Sequence, residues 1–237
     1  MATNVVCKTM LLLELLMEQG SLGLEELHIL SNQPKSTVKR LMDDLVELGW
    51  VHRRLGDRRY TPLKGVPEPL QRRARLASRF APLLEELHGR TGFSSDIALD
   101  LGGGLEVVES NFSLRGGRKG LGTLIGLRPH LQVSAMGRAY ADGTALCEKL
   151  PDAERHALEQ ERRRGYYRRV PRAWEYPFEP PFDIRAVAVP IRRDAITVGT
   201  LNLYWDEQRY GDAGCGDPHL AQLESAVERI ASMLSGT

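Results

Sequence analysis

The side chains best suited to chemistry in this sequence are basic, and they fall in two runs. The first is Lys35-Ser36-Thr37-Val38-Lys39-Arg40, followed by Arg53, Arg54, Arg58 and Arg59. Arginine offers a planar fork of donors that pairs with phosphate oxygens or with the edge of guanine, and serine and threonine hydroxyls serve phosphates or bases. The second run sets Arg168, Arg169 and Arg172 among Tyr166, Tyr167, Trp174, Tyr176, Phe178 and Phe182. Such rings can form a lid that stacks on an aromatic ligand while an arginine pairs its carboxylate, with Trp174 the foremost contact. The same rings can equally pack a proline-rich loop onto a sheet or line a subunit interface.

Other chemistries find no constellation. The six histidines are scattered without HExxH or HxH spacing, and Gly92-Phe93-Ser94-Ser95-Asp96 lacks the closing glycine of a nucleophile elbow. Gly120-Leu121-Gly122-Thr123-Leu124-Ile125-Gly126 has the wrong spacing for a dinucleotide loop. Cys7, Cys147 and Cys215 form no CxxC pair, which argues for reduced thiols and against a zinc site. The expectation is therefore no enzyme, no metal and no cofactor, the alternative being a small-molecule enzyme or ligand-binding module whose basic N-terminus is incidental. Hydrophobic residues at 42% and charged residues at 27% suit an ordinary soluble core. The apolar stretch Met10–Met17 carries Glu14 and falls far short of the roughly 20 residues that span a bilayer. A cytoplasmic protein with no membrane partner is expected.

The elements that must carry the basic residues are legible. Val6, Met10, Leu13 and Met17 recur at helical spacing up to Gly20. A second helix spans about Leu24–Leu30, with Gly23 and Glu26 placed for a capping box. Pro34 opens a third helix whose Val38, Leu41, Met42, Leu45 and Leu48 form an inward stripe, leaving Ser36, Lys39 and Arg40 outward. After Gly49, Trp50–Arg54 reads as a strand, Leu55–Arg58 as a tight turn and Arg59–Thr61 as the return. Three helices followed by a basic hairpin describe a winged helix-turn-helix, with the third helix fit for a major groove and the wing for phosphates or a minor groove. Charge agrees: residues 31–79 hold 12 Lys and Arg against 5 Asp and Glu, whereas the chain as a whole carries only +1.

Pro62, Pro67 and Pro69 mark a junction, and an arginine-rich helix covers about Leu70–His88. Beyond Gly92 the period changes to that of a hairpin, Ser95–Leu101 turning at Gly102-Gly103-Gly104 into Leu105–Ser110. Helices over Val133–Asp142 and Asp152–Arg164, strands over Ala186–Ile191 and Ile196–Tyr204, and a last helix over Pro218–Leu234 complete an α+β domain with a mainly antiparallel sheet. The expected domains are 1–65 for the winged helix-turn-helix, 66–88 for a linker helix and 89–237 for the second domain.

The sequence resembles the IclR family of bacterial transcription regulators. Leu24-Glu25-Glu26-Leu27, Pro34–Leu41 and Leu48-Gly49-Trp50-Val51 resemble that family's second helix, recognition helix and passage into the wing. Ser134-Ala135-Met136-Gly137-Arg138-Ala139 is similar to the SALGKA signature of its effector domain. Arg163-Arg164-Gly165-Tyr166, Ala186-Val187-Ala188-Val189-Pro190 and Gly199-Thr200-Leu201-Asn202-Leu203 resemble its later segments. The segment Glu179–Ala186 lacks the family's usual PG and cysteine, and Asn202 and Tyr204 stand where serines are common. These departures resemble the MhpR-like branch, the hydroxyphenylpropionate regulators, and so favour an activator of aromatic catabolism over a repressor. The resemblance implies a GAF-like domain that binds a small effector, here an aromatic carboxylate. It also implies double-stranded operator DNA as partner and a homodimer or dimer of dimers. Carried over by position, it selects Leu127, Ala135, Met136, Ile184, Ala186, Asn202 and Tyr204 as the effector pocket.

Overall fold

The computed structural model describes residues 4–65, 68–112, 124–176, 178–180, 182–211 and 215–235, so residues 120–123 of the glycine loop, with Pro67 and Pro181, lie outside the described residues. The chain forms two compact units, Met1–Ala81 and Pro82–Thr237.

The first unit contains α1 (Val5–Gln19), α2 (Leu24–Ser31), α3 (Lys35–Glu47) and a hairpin of β1 (Val51–Arg53) and β2 (Tyr60–Pro62). Gly20 ends α1 at φ 78°, where its N–H reaches the Leu16 carbonyl. Glu26 closes the expected capping box by accepting the Gly23 N–H at 2.6 Å. Val38, Leu41, Met42 and Leu45 of α3 are buried against Leu12, Leu16 and Leu27. Leu48, expected on the same stripe, is 68% exposed, because it caps the helix where the chain turns away. The phase of α1 also differs from expectation: Leu12, Leu13 and Leu16 are buried, whereas Val6 and Met10 are exposed. Leucines at 11, 12, 13, 15 and 16 offer an apolar face at almost every angle, so the neighbouring helices choose which one is buried.

Helix α4 (Glu68–Thr91) is continuous from the first unit into the second and extends past the expected His88 to the break at Gly92. The second unit then presents β3 (Asp96–Asp100), β4 (Leu105–Ser110), α5 (Ala135–Asp142), α6 (Asp152–Arg164) and β5 (Tyr167–Arg168). It closes with β6 (Ile184–Arg193), β7 (Ile196–Asp206), the short α7 (Glu207–Tyr210) and α8 (Asp217–Ser235). The sheet order is β4-β3-β7-β6-β5 with every neighbouring pair antiparallel, as the α+β reading expects. The edge strand β5 went unread in the sequence, being only two residues long. Helices α5 and α8 both pack on β6 and β7. Alternation along β6 buries Ala186 and Ala188 in the cluster that holds Ala135, Met136 and Ala139 of α5.

The signature helix α5 is buried along its whole length. Gly137 lies so close to the His130 carbonyl that an added Cβ would stand 2.2 Å from its oxygen, which explains a glycine inside a helix. Arg138 donates to Glu161 from Nε at 3.1 Å and Nη2 at 2.7 Å, tying α5 to α6. Asp142 accepts from Arg162 Nε at 2.7 Å and from the Tyr167 hydroxyl. Burial pushes the Asp142 carboxyl up, but these two donors outweigh it and hold it below the usual range.

Candidate nucleic-acid interface and ligand pocket

The outer face of α3 is polar and open. Lys35, Ser36, Lys39 and Arg40 are exposed and Thr37 is half-buried, all within the first turns after Pro34. Lys35 pairs with Glu25 of α2, Lys39 with Asp43, and Arg40 with Asp44 at 3.7 Å. Exposed pairs of this kind contribute little, so a phosphate or base edge can replace the acid at small cost. Lys35 acts as the largest lowering influence on Glu25, through its hydrogen bond.

The wing arginines divide into two groups. Arg54 grips Asp57 through Nε at 3.0 Å and through Nη2, and Arg59 donates to the Ser21 carbonyl at 2.6 Å and pairs with Glu26 at 2.8 Å. Both therefore hold the hairpin against the α1–α2 connection. Arg58 is exposed at the turn with φ 59°, and the Arg53 guanidinium lies 5.6 Å from the Tyr60 ring centre. Lys64 extends the basic edge, 4.6 Å above the Trp50 ring.

In the second unit, six of the eight expected effector residues line one cavity of about 30 Å3: Met136, Trp174, Ile184, Ala186, Asn202 and Tyr204. Ala135 is not on its lining, being packed in the core beside Met136, and Leu127 instead offers its carbonyl to the Val107 N–H at 2.9 Å. The aromatic segment does reach this cavity, with Trp174 and Tyr176 in edge contact at 5.2 Å and Tyr176 stacked on Phe178. Phe182 instead meets Phe112, which in turn meets Tyr204.

Three charged groups also face the cavity. Asp96 on β3 accepts from the Tyr204 hydroxyl at 3.1 Å and from Asn202 Nδ2 at 3.3 Å, while its N–H donates to Asn202 Oδ1 at 2.6 Å. Burial pushes the Asp96 carboxyl up to about 6, against the lowering pull of hydrogen bonds from Ser110, Asn202 and Tyr204. Burial, followed by the Asp96 charge, holds the Tyr204 phenol well above its ordinary range. The other two groups are Arg169 and Glu175, which pair within the cavity wall. Arg169 and Ala186 also border a larger cavity of about 290 Å3, along with Arg138, Arg168 and Arg185. Of the expected effector residues only Ala186 reaches that second space.

The sequence pattern of the IclR helix-turn-helix domain matches residues 5–55. The match takes in α1, α2, α3 and β1, the elements that set out the polar face described above. Among curated proteins none matches the chain. Solved IclR structures share its fold over nearly the whole length. The IclR of Thermotoga maritima is 18% identical with TM-score 0.55, covering 98% of each chain. An IclR homolog of Microbacterium hydrocarbonoxydans, complexed with 4-hydroxybenzoate, is 19% identical with TM-score 0.51, covering 99% of this chain and 100% of its own. The IclR transcriptional regulator of Alicyclobacillus acidocaldarius is 17% identical with TM-score 0.52, covering 96% and 97%. The second unit thus has the fold of the domain that follows the helix-turn-helix in IclR structures.

Asp96 and Glu175 of the cavity in this IclR-type fold were not singled out as contacts from sequence, whereas Tyr176 stood among the rings of the expected lid. Asp96 carried a readable signal: it shares a strand face with Ala98, which belongs to the core. A buried carboxylate requires partners, and the Asn202 and Tyr204 side chains of β7 supply them. Glu175 carried none, because it lies between β5 and β6 in a segment with no period.

Proposed function

We propose that this chain is a ligand-responsive transcription regulator of the IclR family that controls an aromatic-acid catabolic operon. The observation that carries the reading is the IclR helix-turn-helix domain with the exposed Ser36, Lys39 and Arg40 on one face of α3. Arg40 reads a base edge in the major groove of operator DNA, Lys35, Ser36, Thr37 and Lys39 meet phosphates or bases, and Arg53 and Arg58 meet phosphates from the wing. Arg54 and Arg59 shape that wing. A regulator of this kind works in the cytoplasm, and no helix among the described residues is long and apolar enough to cross a membrane.

The effector is a small aromatic carboxylate held by Met136, Trp174, Ile184, Ala186, Asn202 and Tyr204, with Ala135 and Leu127 behind them. Support comes from their convergence on one cavity and from the 4-hydroxybenzoate bound by the Microbacterium hydrocarbonoxydans homolog. Ligand and operator are linked wherever the ligand prefers one of the protein's arrangements over another. The likeness of the last strands to the MhpR-like branch favours activation. A homodimer or dimer of dimers matches a two-fold operator, and the exposed Val5, Val6 and Met10 on α1 provide apolar surface for a second copy.

The test is a mobility shift on the intergenic DNA upstream of the gene, at two salt concentrations, with and without a panel of aromatic carboxylates. Specific binding that weakens with salt and responds to one acid is expected. Specific binding indifferent to every acid removes the ligand class, and absence of specific binding by folded protein at low salt removes the regulator.

A further inference from the structure

The cavity proposed for the effector measures about 30 Å3, which suits a water molecule or two and cannot admit a benzoate ring unless something leaves. The candidate to leave is on its wall. Glu175 accepts from Arg169 Nη1 at 3.1 Å and from Nη2, and the two side chains are only 3% and 7% exposed. Trp174 lies beneath the same guanidinium, 4.9 Å from its centre, and Tyr176 follows on the other side of Glu175. One short segment therefore places a carboxylate on a buried arginine and an aromatic ring against it. Those are the groups an aromatic carboxylate would itself bring.

The two partners are held differently. Arg169 directly follows β5, and its N–H donates to the Ala186 carbonyl of β6 at 3.1 Å, so the guanidinium is anchored at the sheet edge. Glu175 belongs to no helix or strand. Exchange of its carboxylate for another then moves a loop and leaves the sheet in place, and loops open at lower free energy than sheets. Removing Glu175 without replacement would leave the buried Arg169 charge with the neutral Ala173 carbonyl and no counter-charge, which is strongly unfavourable. Only an anion can take its place. The remaining polar corner is unsuited to a carboxylate, because Asp96 is itself a carboxyl there and presents acceptors to a donor such as a ring hydroxyl.

We propose that Arg169 is the carboxylate anchor of the effector pocket and that Glu175 is its resident competitor. A hydroxylated aromatic carboxylate binds by displacing Glu175 from Arg169 and carrying the 173–176 segment outward. The inference rests on the effector reading above and adds the residue that selects the ligand's charge.

The test is calorimetry with 4-hydroxybenzoate and its neutral analogue 4-hydroxybenzamide, on the wild-type chain, Glu175→Gln, and the double variant Arg169→Gln/Glu175→Gln. The double variant leaves no unpaired buried charge, so it separates anchoring from folding, and circular dichroism checks each protein. Wild type should bind the acid at least tenfold tighter than the amide. Glu175→Gln should tighten the acid at least tenfold and leave the amide unchanged, and the double variant should lose the preference for the acid. Equal affinity of wild type for acid and amide, or a preference surviving in the double variant, overturns Arg169 as the anchor while the effector pocket stands. Acid affinity equal in wild type and a folded Glu175→Gln overturns the competitor. No binding of either probe to any of the three overturns the ligand class together with this inference.

Discussion

Two residues show how environment assigns different work to the same chemical type. Arg40 is 62% exposed and meets Asp44 only at 3.7 Å, whereas Arg54 is held bidentately by Asp57 in the wing. The first guanidinium can leave its acid for a base edge; the second would lose the hairpin geometry. Arg40→Ala should therefore weaken operator binding by about 1–3 kcal/mol, some ten- to a hundredfold, with effector affinity unchanged. Anisotropy titration checks it, and an unaltered operator affinity removes α3 as the reading helix. Asp96 gives a prediction in pH. Its carboxyl titrates near 6 when folded against 3.8 as an ordinary carboxyl, so the folded chain holds the extra proton between those values. Stability from this group is greatest below about pH 4 and falls as pH rises through 6. The stability of Asp96→Asn relative to wild type should accordingly move in the variant's favour between pH 4 and 7, by about 2 kcal/mol. Denaturant melts at both pH values measure it, and a difference independent of pH places the titration elsewhere.

At the scale of elements, pattern and packing contribute unequally. The stripe of α3 was readable because its apolar residues are few and periodic, and the structure buries four of them. The stripe of α1 was half right, Leu13 and Met17 packing in the core while Val6 and Met10 are exposed, because nearly every phase of Leu11–Leu16 is apolar and contact with α2 and α3 selects the face. The turn between β6 and β7 uses Asp194 and Ala195, both at positive φ, in place of the usual Asn-Gly or Asp-Gly. Ten paired positions of β6 and β7, with one register shift after Ile191, hold that turn, and the long strands were legible although the turn was not. Helix α5 owes its closeness to the preceding loop to Gly137. Gly137→Ala would drive a methyl into the His130 carbonyl and should destabilise the second unit by about 1–3 kcal/mol. Thermal unfolding reads the change, and a wild-type Tm would mean that the loop yields freely.

At the scale of the molecule, charge is partitioned: the overall +1 conceals the excess of Lys and Arg between residues 31 and 79. Affinity for DNA should therefore fall steeply with salt although the protein is nearly neutral. Removing one phosphate-contacting cation, as in Lys39→Ala, should lower the slope of log affinity against log salt by about 1 and weaken all sequences alike. A slope untouched by Lys39→Ala and by Arg58→Ala would place the phosphate contacts on other residues. The residues proposed for DNA and those proposed for the ligand lie in separate units. Arg40 and Arg169 substitutions should then each impair their own binding event when the two are measured apart.

Period, glycine and proline punctuation, and family likeness act locally along the chain, and they made the helix-turn-helix, the α+β second unit and half of the cavity lining legible. Six of eight expected pocket residues meet for that reason. The packing of distant segments sets Asp96 against Asn202 and Tyr204 across 106 and 108 residues of chain, and closes Glu175 on Arg169. It also divided the wing arginines between fold and surface. Pairings of this kind depend on burial and on which charges become neighbours, and a one-dimensional pattern carries neither.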